Sequence, residues 1–310
     1  MTMANLKSLV KDTAIYGLSS ILGRFFNYLL VPLFTYTFKS CSDYGLYSYL
    51  YAQTALLLAI LTFGMETTFF RFINKEEDRT QKMRVYSTAL IMVGGVALTF
   101  VVLVLSFLGP IARLEGCEGH EWYVGMMALV VAQDAFQAIC YAYLRNEHKP
   151  VKFMCLRLIL IAMNLLLNIG AYMVMPRIDP TWEISVKWAF AINLICTTFI
   201  SFCFYKELTG FKWVFDKAKA RKMIAYAWPI LILSVAGILN NVAGQILLPN
   251  ILGHEDGLDQ LGIYEACIKV AMIMALITQA FRYAYEPFVF GHAKEKDSKA
   301  MYSVAMKYFI

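Results

Sequence analysis

Eight windows of about 20 mainly apolar residues, beginning near positions 13, 46, 86, 122, 153, 184, 225 and 263, constrain this chain more than any other feature. Each is long enough to cross a bilayer as a helix, and none has the alternating segments of about ten residues that build a membrane barrel. An all-α polytopic membrane protein is therefore predicted. Composition agrees, since 59% of the 310 residues are hydrophobic and 16% charged, a pairing that soluble globular chains almost never show.

The formal charge of +6 would suit a nucleic-acid partner, but its placement argues otherwise. With the N-terminus placed inside, basic residues crowd the inner segments at Lys7 and Lys11, Lys75 to Arg84, Arg145 to Lys152, Lys206 to Lys222 and Lys294 to Lys307. The outer loops carry only Lys39, Arg113 and Arg177. This is a positive-inside bias, with attraction to anionic headgroups as its by-product, and no nucleic acid is expected. The first apolar stretch is too long for a cleavable signal and lacks a small-residue cleavage site, so it is expected to stay as a helix. Of the seven cysteines, Cys41 and Cys117 lie in or beside outer loops. A disulfide between them is open, with no spacing to support it.

Polar residues inside the windows carry the chemistry. Arg24 lies near the middle of the first, where a charge costs roughly 2.5–3.5 kcal/mol on insertion scales, so it must face the protein interior. Gly17, Ser20, Arg24, Asn27 and Val31 share one helical face. In the second window Tyr44, Tyr47, Tyr49 and Tyr51 read as an interfacial belt, Arg71 reads as snorkelling, and Glu66 calls for an internal partner. Asp134 shares a face with Gln137 and Tyr141 and is either an arginine's partner or a protonatable group. Arg157, Ile161, Asn164 and Asn168 form the cleanest stripe, with snorkelling left open for Arg157. Asn193, Thr197 and Ser201 follow at i, i+4 and i+8. Ser234, Gly237 and Asn241 lie along the seventh window, and Gln279, Arg282 and Glu286 along the eighth, where Arg282 and Glu286 are spaced to pair with each other.

Catalytic motifs are absent. The chain has no Walker loop, no GxGxxG and no HExxH, its four histidines are scattered, and no metal or cofactor is expected. An internal repeat is present instead. At an offset of 217, Pro32 falls on Pro249, Gly45 on Gly262, Tyr47 on Tyr264 and Arg24 on Asn241. At 216, VYSTA at 85–89 falls on MYSVA at 301–305. The repeat predicts two six-helix bundles in one orientation, with the second cut short after about two helices. The divisions are residues 1–205 for the first bundle, 206–222 for a basic amphipathic linker lying as a short helix on the inner surface, and 223–310 for the start of the second bundle. Arginine forks facing a cavity between bundles favour a phosphate-bearing substrate.

The opening KDTAIYGLSSILGRFFNYLLVPLFTYTF, the segment DYGLYSYLYAQTALLLAILTFGMETTFFRF and the proline-bearing seventh helix resemble the bacterial polysaccharide biosynthesis proteins, oligosaccharide flippases of the MOP superfamily. The resemblance implies a two-bundle transporter in the bacterial inner membrane that passes an undecaprenyl-diphosphate-linked oligosaccharide from inner to outer leaflet. It implies that Arg24 binds the diphosphate, with weaker carry-over to Arg157 and Arg282, and Asn27, Asn164, Asn168 and Asn241 lining the path. Asp134, Glu66 or Glu286 are the candidates for coupling to an ion or proton. Expected partners are the lipid-linked oligosaccharide, membrane lipids and the polysaccharide polymerase or ligase machinery. A cation-coupled organic-cation antiporter would show carboxylates dominating the cavity. A membrane glycosyltransferase or ligase would need a large outer loop, and the outer loops here are short. A non-transporting scaffold would tolerate loss of Arg24.

Overall fold

The computed structural model describes residues 29–253, 256–272 and 274. Every regular segment among them is helical: α1 (29–37), α2 (Cys41–Thr62), α3 (Met65–Ile73), α4 (Arg79–Ser106), α5 (Leu108–Leu114), α6 (Glu121–Asn146), α7 (Pro150–Ile169), α8 (Met175–Ile178), α9 (Lys187–Cys203), α10 (Tyr205–Leu208), α11 (Lys217–Leu252) and α12 (256–272). Five helical stretches among the described residues are long and apolar enough to span a bilayer, namely Cys41–Ile73, Arg79–Ser106, Glu121–Asn146, Pro150–Ile178 and Lys217–Leu252. The chain is a multi-pass membrane protein.

Local chemistry sets the helix ends. The Ser40 hydroxyl accepts from the Asp43 amide at 3.1 Å and starts α2. Phe63 and Gly64 then take left-handed backbone conformations and break the span into α2 and α3. Gly64 also lies where a Cβ would meet the Ile230 side chain at 2.8 Å, so glycine lets α3 close onto α11. A π-helical turn, Gly170–Val174, joins α7 to α8. There the Tyr172 hydroxyl donates to the Ser185 carbonyl at 2.9 Å and accepts the Ala189 amide at 3.0 Å, tying the turn to the start of α9.

Helix α6 is the axis of the first bundle and packs on α2, α3, α4, α5, α7 and α9. Its small and β-branched residues Val131, Ala135, Ile139 and Ala142 are fully buried against Phe69, Leu90 and Ile200. The second half of α4 leaves Leu98, Val102 and Leu103 exposed, as a lipid-facing helix must. Gln137 reaches across to α9, donating to the Thr197 carbonyl at 2.9 Å and the Ser201 hydroxyl at 2.8 Å. Ser201 of the α9 stripe is therefore internal glue.

Two expectations change, and one open question closes. Tyr44 and Tyr49 are buried, and Tyr47 stacks among Phe34, Tyr51 and Phe190, so these tyrosines form an aromatic core and not an interfacial belt. Residues 209–216 are not a surface helix. They run without regular structure beneath α4, where the Val214 amide donates to the Ser87 hydroxyl at 2.8 Å and the Asp216 amide to the Thr88 hydroxyl at 3.1 Å. Cys41 is exposed and Cys117 buried, and both are free thiols.

Helices α2 and α12 cross with almost no space between backbones. A Cβ on Gly45 would lie 1.9 Å from the Leu258 carbonyl oxygen, and one on Gly262 would lie 2.1 Å from that of Cys41. The repeat offset that equates Gly45 with Gly262 also equates Cys41 with Leu258. The two contacts are thus one contact seen from each repeat, as a local two-fold axis requires.

Candidate functional site

The polar residues that the first bundle does not use on itself gather around α6 and α7. Asp134 is half-buried on α6, and the Arg157 guanidinium of α7 is close enough to act on its charge. Neither forms an ion pair within 4.0 Å among the described residues. Arg157 is exposed, with its guanidinium carbon 4.2 Å from the centre of the Tyr141 ring. A cation over a ring face keeps its N–H groups free at the edge, ready for oxygen acceptors. The Tyr141 hydroxyl is itself buried without a hydrogen-bond partner among the described residues. Tyr51 of α2, near Asn193 of α9, closes the group on the side of Asp134.

One helical turn past Ile161 the stripe continues with asparagines. The Asn168 amide donates to the Asn164 backbone carbonyl at 2.8 Å and to its side-chain oxygen at 3.1 Å, while the Asn168 side-chain oxygen is buried and has no partner among the described residues. Asn164 and Asn168 therefore bond along their own helix rather than across the bundle. Asn241 behaves alike, donating to the Gly237 carbonyl at 3.0 Å on an exposed face of α11. Arg24, Asn27, Arg282 and Glu286 lie outside the described residues.

Glu66 has the internal partner its short side chain calls for: Arg145 of α6 donates to it at 2.7 Å and also covers the Phe70 ring at 4.9 Å. Arg71, read as snorkelling, is 4.0 Å over the Tyr226 ring and so links α3 to α11. Among the charged pairs that were not foreseen, one lies on α12. Glu265, almost fully buried on α12, takes a hydrogen bond from Gln245 of α11 and is 3.0 Å from Lys269. The i, i+4 spacing of Glu265 and Lys269 was the available signal. No group of three or more potential metal ligands occurs among the described residues.

The arrangement is an anion-accepting edge beside a carboxylate, on helices that bury the rest of their polar groups. The family described as polysaccharide biosynthesis protein matches residues 9–284. A solved structure, the inward-facing conformation of a multidrug resistance MATE family transporter of the MOP superfamily, shares the fold with a TM-score of 0.62 at 15% identity. The match covers 96% of this chain and 67% of that one. Among curated proteins none matches.

Proposed function

The chain belongs to the polysaccharide biosynthesis protein family and has the fold of a MOP-superfamily transporter, and from that premise we propose that it is a flippase for undecaprenyl-diphosphate-linked oligosaccharide. It moves this lipid between the leaflets of the bacterial inner membrane by alternating access, with its N-terminus inside. Family and fold both point to a transporter rather than an enzyme.

The observation that carries the substrate class is the exposed Arg157 guanidinium, seated on Tyr141 and free of any ion pair among the described residues. Its fork offers two parallel N–H groups to a phosphate oxygen pair, which an ammonium cannot do. Arg24 and Arg282 complete the diphosphate grip in this reading, and Asn27, Asn164, Asn168 and Asn241 serve the sugar hydroxyls. The polyprenyl chain stays in lipid while the bundles rock about the headgroup. Glu66 is already matched by Arg145, so it acts as a strut. Asp134, or Glu286, is left as the group that couples transport to a cation or proton.

A second reading, an organic-cation antiporter, draws on Asp134 beside the aromatic cluster of Tyr47, Tyr51 and Phe190. One experiment separates the two. The parent gene carrying Arg24→Ala or Arg157→Ala is expressed in glycan-producing cells, with membrane abundance, lipid-linked glycan and drug susceptibility followed together. The flippase reading expects normal abundance, accumulation of lipid-linked glycan on the inner leaflet and unchanged susceptibility. Unaltered glycan delivery in both variants rejects it, and raised drug susceptibility selects the antiporter.

A further inference from the structure

A cleft of about 450 Å³ opens at the basic end of the first bundle and shares no residue with the Asp134–Arg157 group. Arg79 from the first turn of α4, Lys149 and Lys152 from the start of α7, and Lys206 from α10 converge on it, with Glu207 and Phe211 completing the wall. Glu207 is the one carboxylate in this lining, and it is already taken. It is buried and accepts from the Lys152 ammonium at 2.6 and 2.7 Å.

Three cations are left facing one space. Arg79, Lys149 and Lys206 are exposed and form no ion pair among the described residues. Two of them stand at helix N-termini, of 28 residues in α4 and 20 in α7, whose free amides add positive potential to the same end. Like charges drawn together around a cleft repel unless an anion lies between them. A guanidinium and two ammoniums form the donor set that phosphate oxygens satisfy best.

The surroundings say where that phosphate comes from. Phe202, Tyr205, Trp213 and Phe215 are exposed by 76%, 70%, 48% and 50% at this end of the bundle. Exposed tyrosine and tryptophan, here Tyr205 and Trp213, are enriched in the interfacial layer, which puts the cleft at headgroup depth. The extended segment 209–216, pinned by Ser87 and Thr88, holds Phe211 against the Tyr86 ring and keeps the wall in place. We propose that this cleft is a headgroup site for an anionic phospholipid, which places its phosphate among Arg79, Lys149 and Lys206 and leaves its acyl chains in the leaflet. The site is separate from the transport path and does not depend on the identity of the transported substrate.

The test uses the full chain purified in detergent, titrated by native mass spectrometry with phosphatidylglycerol, phosphatidylcholine and inorganic pyrophosphate. Phosphatidylglycerol should bind in preference to phosphatidylcholine and resist displacement by pyrophosphate. Lys149→Gln and Lys206→Gln should each weaken it about fivefold, the effect of one basic residue beside an anionic headgroup. Adding Arg79→Gln to both should erase the preference, whereas Lys217→Gln, outside the cleft, should leave it intact. All four positions are exposed, so thermal unfolding should match the parent and separate lost binding from lost folding. An unchanged lipid preference in the triple variant overturns the site. Displacement by pyrophosphate at equal concentration, lost in the same variants, overturns the lipid and leaves a soluble phosphate as the ligand.

Discussion

Lys152 and Glu207 show how burial decides what a charge is worth. The Glu207 side chain is 5% exposed and the Lys152 side chain 32%, so the carboxylate depends on the lysine while the lysine keeps part of its water. Lys152→Met should therefore cost about 3–5 kcal/mol, the penalty of an uncompensated buried charge. Glu207→Gln leaves a neutral group in the same place and should cost about 1 kcal/mol. Thermal unfolding of the purified variants measures both, and equal shifts would mean that the carboxylate is not desolvated. Cys117 gives a second residue-level test. Burial first, then the nearby carboxylates of Glu115 and Glu121, push its thiol up from 9.0 to about 11. The folded state therefore holds the proton more tightly than the unfolded one. This contribution to stability is complete below pH 9 and is lost as pH rises toward 11. At pH 8, maleimide should label exposed Cys41 and spare Cys117 until the protein unfolds. Equal labelling of the two would disprove the buried thiol. Such environments were only half legible in the sequence. The need for a partner at Glu66 was readable from its short reach, but Arg145 is 79 positions away, and only packing brings the two together. For Arg157, snorkelling and an inward role stayed open because the deciding contact, the Tyr141 ring, belongs to another helix.

Among helices, the most demanding contact is the crossing of α2 and α12. The colliding atoms on both sides are backbone carbonyls, which cannot rotate away as a side chain can. Gly45→Ala or Gly262→Ala must push the helices apart, at about 1–3 kcal/mol each. Because both substitutions force the same separation, the double variant should cost clearly less than the sum of the singles. A thermal-unfolding cycle reads this directly, and strict additivity would show that the two glycines do not share one crossing. The sequence marked these glycines as equivalent through the repeat, without showing that they touch. Helix existence was largely legible because a bilayer forces continuous apolar runs. Helix faces were less so, since a tyrosine buried in an aromatic core and one anchored at an interface follow the same spacing. Tyr44 and Tyr49 were misplaced for that reason. The linker was misread because its interleaved aromatic and basic residues match a surface helix. Ser87 and Thr88, far away in sequence, capture its backbone instead.

For the whole molecule, the distribution of charge and the orientation in the membrane are linked. Helix α11 has 36 residues, roughly 54 Å at the α-helical rise, against a hydrocarbon core of about 30 Å. Its basic first turns, with Lys217, Lys219, Arg221 and Lys222, must therefore stand outside the bilayer. Lys219 pairs with Glu76 at 2.9 Å, which fixes those turns beside the connection between α3 and α4. The connections at 74–78, 147–149 and 209–216 thus share one end of the molecule, while those at 38–40 and 115–120 share the other. The basic residues concentrate at the first end, which the positive-inside rule assigns to the cytoplasm. In a variant lacking the native cysteines, a thiol at Lys212 should react with an impermeant maleimide only after cells are opened. A thiol at Glu118 should react in intact cells. The reverse pattern would invert the molecule in its membrane, and with it the leaflet that faces its basic end. Labelling of Lys212→Cys and Glu118→Cys from the same side would go further and contradict the helix count between them, which the fold fixes at α6, α7 with α8, and α9.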